Sequence, residues 1–231
     1  MNSTPMFAVT NIHEFTELMK LARVAQGDLH YIVNPFYLPS DLRAKKLLDL
    51  YERNDTLSYA TEAYWSNLPY SHGLNANGTA SEVVKYKLMP CDGRTEHAAS
   101  AGKAANYLQK DISTRAAHGD ICFDLQVQLF SQREMVAAGS RDDWSTIDWI
   151  ENGGALWDET VLPFVTIAHL SVAGDSIPKS EPSATSSHQV SCDDIAFSTR
   201  LHSVRTNQPL GGIARVRAYV EENSRARRSM K

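Results

Sequence analysis

The spacing of apolar residues divides this chain into helical segments around a group of strands. Phe15, Leu18, Met19 and Leu21-Ala22 recur at helical intervals and predict an amphipathic helix over 12–25, with Asn11 placed to cap it. After Pro39-Ser40-Asp41, Leu42, Leu47-Leu48 and Leu50-Tyr51 predict a second helix ending near Asn54. Residues 57–70 are aromatic and lack either period. Asn75-Ala76-Asn77-Gly78 is a turn signal, and Glu82 to Met89 reads as a strand closed by Pro90. Residues 96–117 are alanine-rich and helical in pattern. The clearest alternation, Phe123-Asp124-Leu125-Gln126-Val127-Gln128-Leu129-Phe130, predicts a strand over 121–131. A turn-rich stretch with Trp144, Trp149 and Trp157 leads to another strand, Leu162 to Val172. Residues 173–192, rich in serine and polar groups, read as a surface loop. Asp193 to Phe197 begins an ordered return, and Gly211-Gly212 precedes a last helix over 213–228.

Strands grouped together, with helices before and between them, indicate an α+β class rather than alternating β/α units. No GxGxxG, P-loop, HExxH or GxSxG pattern occurs, so dinucleotide and ordinary hydrolase readings lack support. The 231 residues, 42% of them apolar, suffice for a single domain over 1–231. A net charge of −4 leaves no basic footprint for nucleic acid. The basic run Arg225 to Lys231 reads as a solvated tail. Cys91, Cys122 and Cys192 are odd in number and lack zinc-ligand spacing, which predicts reduced thiols. With no apolar run of membrane-spanning length and no signal-peptide core, a soluble cytoplasmic protein is expected.

Several stretches, in order along nearly the whole chain, resemble the catalase superfamily, and small catalase-related haem proteins in particular. Asn2 to Phe7 resembles the segment after the distal half of the barrel. Tyr64-Trp65-Ser66-Asn67-Leu68-Pro69-Tyr70 resembles an aromatic turn, and Asn75–Gly78 with Val84-Lys85-Tyr86 the hairpin that follows. Asp124 to Gln128 and Trp157-Asp158 through Pro163-Phe164 resemble the last barrel strands and their connection. Ala196-Phe197 and Pro209 to Ile213 resemble the approach to the proximal helix. The implied fold is an incomplete antiparallel β-barrel with flanking helices, truncated at its N-terminal side.

The implied cofactor is haem b and the implied chemistry is hydrogen peroxide decomposition or conversion of an organic hydroperoxide. Tyr219 would be the axial iron ligand, and Arg215, one turn earlier, would keep its phenol ionised. Asn2 matches the distal asparagine that orients peroxide, and Phe15 the aromatic residue near the haem. A register two residues later would put Glu221 in the tyrosine's place, behind Arg217. The chain also departs from the family: Val220-Glu221-Glu222-Asn223 replaces the usual continuation. None of its eight histidines lies where the distal histidine is expected. That histidine carries a proton between the peroxide oxygens, a role worth about 10²- to 10⁴-fold that asparagine cannot fill. The alternatives are a non-catalytic haem-binding remnant, an interaction module, or a fragment with no independent function. Closing a small barrel takes about eight strands, so a homo-oligomer or a missing N-terminal half is expected to complete it.

Overall fold

In the computed structural model, residues 5–7, 9–24, 58–91, 106–176 and 204–228 are described. Strand β3, Ala80–Pro90, organises the sheet. On one side it pairs antiparallel with two shorter strands, β1 (Tyr64–Trp65) and β2 (Tyr70–Leu74). On the other it pairs with β4 (Ile121–Leu129), and β4 pairs in turn with β5 (Val165–Val172). The result is a five-stranded antiparallel sheet that does not close, with β5 at its free edge.

Helix α1 spans Ile12–Val24, and Asn11 accepts from the Glu14 amide at 3.0 Å, the expected cap. Helix α2, Tyr107–His118, takes up the end of the alanine-rich segment, whose residues 96–105 lie outside the described residues. Two short helices, α3 (Gln132–Ala137) and α4 (Thr146–Glu151), occupy the stretch read as turns. Both start on serine caps. The Ser131 hydroxyl accepts from the Glu134 amide, and Ser145 forms a reciprocal capping box with Asp148. The last helix, α5, runs Gly212–Arg228, so the first four residues of the basic tail are helical, with exposed side chains through Arg227.

The sheet has a polar and an apolar face because its strands alternate. The register puts Lys85 opposite Gln128 and Lys87 opposite Gln126 on one face, with Met89 opposite Asp124. Tyr86 opposite Val127, Leu88 opposite Leu125 and Pro90 opposite Phe123 share the other. On that face Ala60, Ile121 and Phe123 form a core with Tyr64, Leu88, Val172 and, from α2, Ile112. On the polar face Trp157, Met135, Trp149, Ala155 and Leu162 pack with Val83 and Phe130. A third core ties both ends of the chain together: Val9, Leu68, Ile213 and Ala214, with Phe7 and Phe15 against them. Gly153 permits this closure, since a Cβ there would stand 2.8 Å from the Val9 carbonyl oxygen.

Several expectations change. Residues 57–70 contain β1 and the start of β2 because their backbone is taken up by β3. Asn67, with φ 57°, turns the chain between them, and its amide donates to the Met6 carbonyl at 3.1 Å. β5 starts at Val165 rather than Leu162, whose amide is held in a turn by the Asp158 carbonyl at 2.8 Å. The expectation of reduced thiols is overturned for two cysteines. Cys91 at the end of β3 and Cys122 on β4 form a disulfide, their Cα atoms 5.5 Å apart. The strand register, not sequence spacing, brings them together. The helix over 41–54, the return at 193–197, Cys192 and most of the 173–192 loop lie outside the described residues; Gly174–Ser176 forms a single 3₁₀ turn.

Candidate functional site

Helix α5 is positioned from its N-terminus. Gly211, at φ 88°, adopts a left-handed conformation that suits glycine and turns the chain into the helix. The Glu151 carboxylate from α4 accepts from the Gly212 amide at 2.7 Å and meets the Arg215 guanidinium at 3.2 Å. An anion is favoured at this helix end because the free amides and the helix dipole present positive charge there. Ile213, Ala214 and Ala218 are buried, which fixes the face that α5 turns inward.

That rotation decides where the sequence-predicted residues stand. Tyr219 lies outside the buried arc and is 68% exposed. Arg215 is engaged by Glu151. Phe15 packs against Phe7, ring centroids 5.7 Å apart, in the core that joins both chain ends. Asn2 lies outside the described residues. The geometry therefore brings Phe15 and α5 to one core but turns the Tyr219 phenol to solvent. An axial ligand of a protein-bound haem sits in a shielded cleft whose dielectric tunes the iron. An exposed phenol beside an arginine already held by Glu151 does not by itself make such a cleft.

Charged side chains of α5, Arg217 and Glu221, act on a different phenol, that of Tyr70. Tyr70 on β2 stacks edge-on with Tyr86 on β3 at 5.7 Å. Burial pushes the Tyr70 phenol up, offset by Arg217. Arg217 itself pairs with Glu221 at 3.0 Å, so the alternative register falls on a salt bridge one helical turn long. Burial also raises Tyr86, while a hydrogen bond from Asn207 lowers it. His72 Nδ1 stands 3.4 Å from the Tyr86 hydroxyl.

The sheet's polar face holds a group that periodicity alone did not single out. Lys85 is buried, and its Nζ donates to the Ala155 carbonyl at 2.7 Å and sits 4.7 Å from the Trp157 ring centroid. Desolvation pulls its amine down to about 7. Beside it the Gln128 amide donates to the carbonyls of Trp157 and Leu162, at 3.0 and 2.7 Å. Lys87 pairs with Glu159 at 3.1 Å and faces the Trp65 and Phe164 rings. Lys85, Gln128, Trp157, Glu159, Trp65 and Phe164 line a small void, so the polar face is filled by the 155–164 segment at this end.

No protein-family profile matches the chain, and no curated protein sequence matches it. Solved structures do. A fungal catalase superposes with a TM-score of 0.69 at 15% identity, over 96% of this chain and 43% of its own. The fold is that of the catalases. Catalase A from Saccharomyces cerevisiae gives 0.71 at 13% identity, over 96% and 44%. A bacterial catalase gives 0.67 at 14% identity, over 96% and 42%. The chain thus spans less than half the length of these catalases. The likeness agrees with the antiparallel sheet, the flanking helices and the α+β class.

Proposed function

We propose that this chain is a catalase-related module that lacks a self-contained haem site, and that further strands of the same fold complete its sheet. The observation carrying this reading is β5. All of its residues but the last are exposed, Val165 at 55% and Ile167 at 52%, and among the described residues no strand covers its outer edge. The sequence Val-Thr-Ile-Ala-His-Leu-Ser-Val carries no lysine, glutamate or proline of the kind that guards an exposed edge. An apolar edge on a fold that covers 96% of itself but only 43% of a catalase suits strands outside residues 1–231.

Peroxide or hydroperoxide conversion at haem b belongs, on this reading, to the completed assembly. Tyr219 stays the proposed iron ligand, with Arg215, Phe15 and Asn2 as its proposed companions, provided that added structure covers the outer arc of α5. Bound haem would supply the redox-active iron; this chain contributes the helix, the sheet and the core that fixes them. Among the described residues no helix is long and apolar enough to cross a membrane. The cytoplasmic placement expected from free thiols loses one support, because Cys91 and Cys122 are paired.

A haem titration of the purified chain tests this. The expected result is no saturable ferric spectrum and no oxygen release from peroxide above that of free haem. A saturable spectrum with a phenolate charge-transfer band, abolished by Tyr219→Phe, overturns the proposal and establishes a self-contained haem site.

A further inference from the structure

At the Pro90 end of the sheet, three neighbouring strands bring together a cluster that the catalase reading does not use. Asp124 on β4 is the direct cross-strand partner of His169 on β5. His169 Nδ1 lies 2.6 Å from Asp124 Oδ1. Cys91, one residue past β3, has its Sγ 3.6 Å from the same oxygen, and its amide donates to the Cys122 carbonyl at 3.2 Å. The thiol, carboxylate and imidazole atoms all fall within 4.8 Å of one another. Cys122, two residues before Asp124 and on the same face of β4, holds Cys91 in the disulfide.

We propose that Cys91, Asp124 and His169 form a zinc site in the reduced protein, and that the Cys91–Cys122 disulfide closes it. One sulfur, one nitrogen and one oxygen donor suit a borderline cation such as Zn²⁺, with water in the fourth position. In a tetrahedral zinc site neighbouring donors stand about 3.3 to 3.7 Å apart, given bonds of about 2.0 to 2.3 Å. The Cys91–Asp124 separation already matches. The Asp124–His169 pair opens by roughly 1 Å when the cation replaces the proton between them, a change within side-chain rotation. The donors come from paired strands, so the register positions them without rearranging the backbone.

The disulfide acts as the lock because a sulfur in an S–S bond is not a thiolate. A dithiol reductant passes two electrons to the disulfide and closes its own. Cys91 and Cys122 each take up a proton and become thiols. Zinc binding then releases the Cys91 proton to solvent, and Cys122 remains a free thiol beside the site. Asp124 and His169 are ligands in this scheme; Cys122 is only the lock.

The test uses untagged protein of residues 1–231 in a Cys192→Ser background. Reduction is by a water-soluble phosphine, which takes an oxygen atom from water as it delivers two electrons. Zinc binding is read by calorimetry, Co²⁺ absorption reports thiolate ligation, and far-UV circular dichroism reports the fold. The reduced protein is expected to take one equivalent of zinc and to show a cobalt–thiolate charge-transfer band. The oxidised protein lacks that band. His169→Ala and Asp124→Asn each weaken zinc binding at least tenfold in the reduced state, and Cys122→Ser binds cobalt through thiolate without any reductant. The proposal is overturned if reduced and oxidised proteins bind zinc alike, if the reduced protein gives no thiolate band, or if His169→Ala leaves affinity unchanged. Loss of the folded spectrum on reduction also overturns it, since the site needs β3, β4 and β5 in register. Should Cys122→Ser not fold, the reduced parent and its His169→Ala variant decide the matter.

Discussion

Lys85 shows how a single buried side chain couples this fold to pH. Its amine is pulled from 10.5 to about 7 by desolvation, so the folded state sheds the proton well before the unfolded chain does. Between those values the unfolded chain holds more protons, and stability rises with pH. From pH 7 to about pH 9.5 the gain is on the order of 3 kcal/mol. Thermal melts across that window are expected to show rising Tm, and Lys85→Met is expected to flatten the slope. The window closes above about pH 10, because burial raises the Tyr64 phenol to about 12 and the unfolded chain then loses its proton first. Glu151 is the second informative residue. It caps α5 and holds Arg215, and Glu151→Ala is expected to cost about 1 to 2 kcal/mol in urea unfolding. Neither residue stood out in the sequence. A lysine in an alternating strand and a glutamate at the end of a short helix look like surface charges until their partners, 70 and 61 to 64 positions away, are known.

At the scale of elements, β5 and α5 make the contrast. The alternation that identifies β4 also fixes its two faces, and both are occupied: Phe123 in one core, Gln128 against the Trp157 segment in another. β5 also carries a strand pattern, yet seven of its eight residues stay exposed, because it lies at the edge and Val172 alone of its residues joins a described core. Such an edge pairs readily with another strand. Sedimentation velocity is expected to show concentration-dependent association of this chain, and Ile167→Lys is expected to suppress it with little change in unfolding midpoint. A monomer at all concentrations would show that the edge is not used for self-pairing. For α5 the sequence located the helix, but its rotation came from Ile213 and Ala214 meeting Val9 and Leu68, with Ala218 buried on the same side. That rotation put Tyr219 outside, where helical spacing from Arg215 alone could not.

Among the described residues, three hydrophobic cores and one disulfide hold an open sheet. The Cys91–Cys122 link closes a loop of 31 residues' separation, worth about 3 to 4 kcal/mol in the chain-entropy picture. Reduction is expected to lower the urea midpoint accordingly, with the m-value shifting as the unfolded chain expands. The fold matches catalases along nearly all of its own length while reaching under half of theirs. On the proposed reading any haem chemistry belongs to the completed assembly, so the haem titration and the association experiment bear on the same proposal from different sides.

Local periodicity located strands over 82–89, 121–131 and 162–172, helices over 12–25 and 213–228, and the Asn75–Gly78 turn, which the structure bounds at 80–90, 121–129, 165–172, 12–24 and 212–228. It did so because amphipathic spacing, caps and turn residues act over a few positions. The collinear motifs also carried the catalase-like architecture. Tertiary structure alone decided the partners: Cys91 with Cys122, Asp124 with His169, Lys85 with Ala155 and Trp157, and Glu151 with the start of α5. Each depends on strand register or helix rotation, which contacts far apart in the chain set together and no local pattern encodes. For the same reason cysteine spacing pointed to free thiols and away from metal, while the register placed two cysteines, an aspartate and a histidine at one end of the sheet.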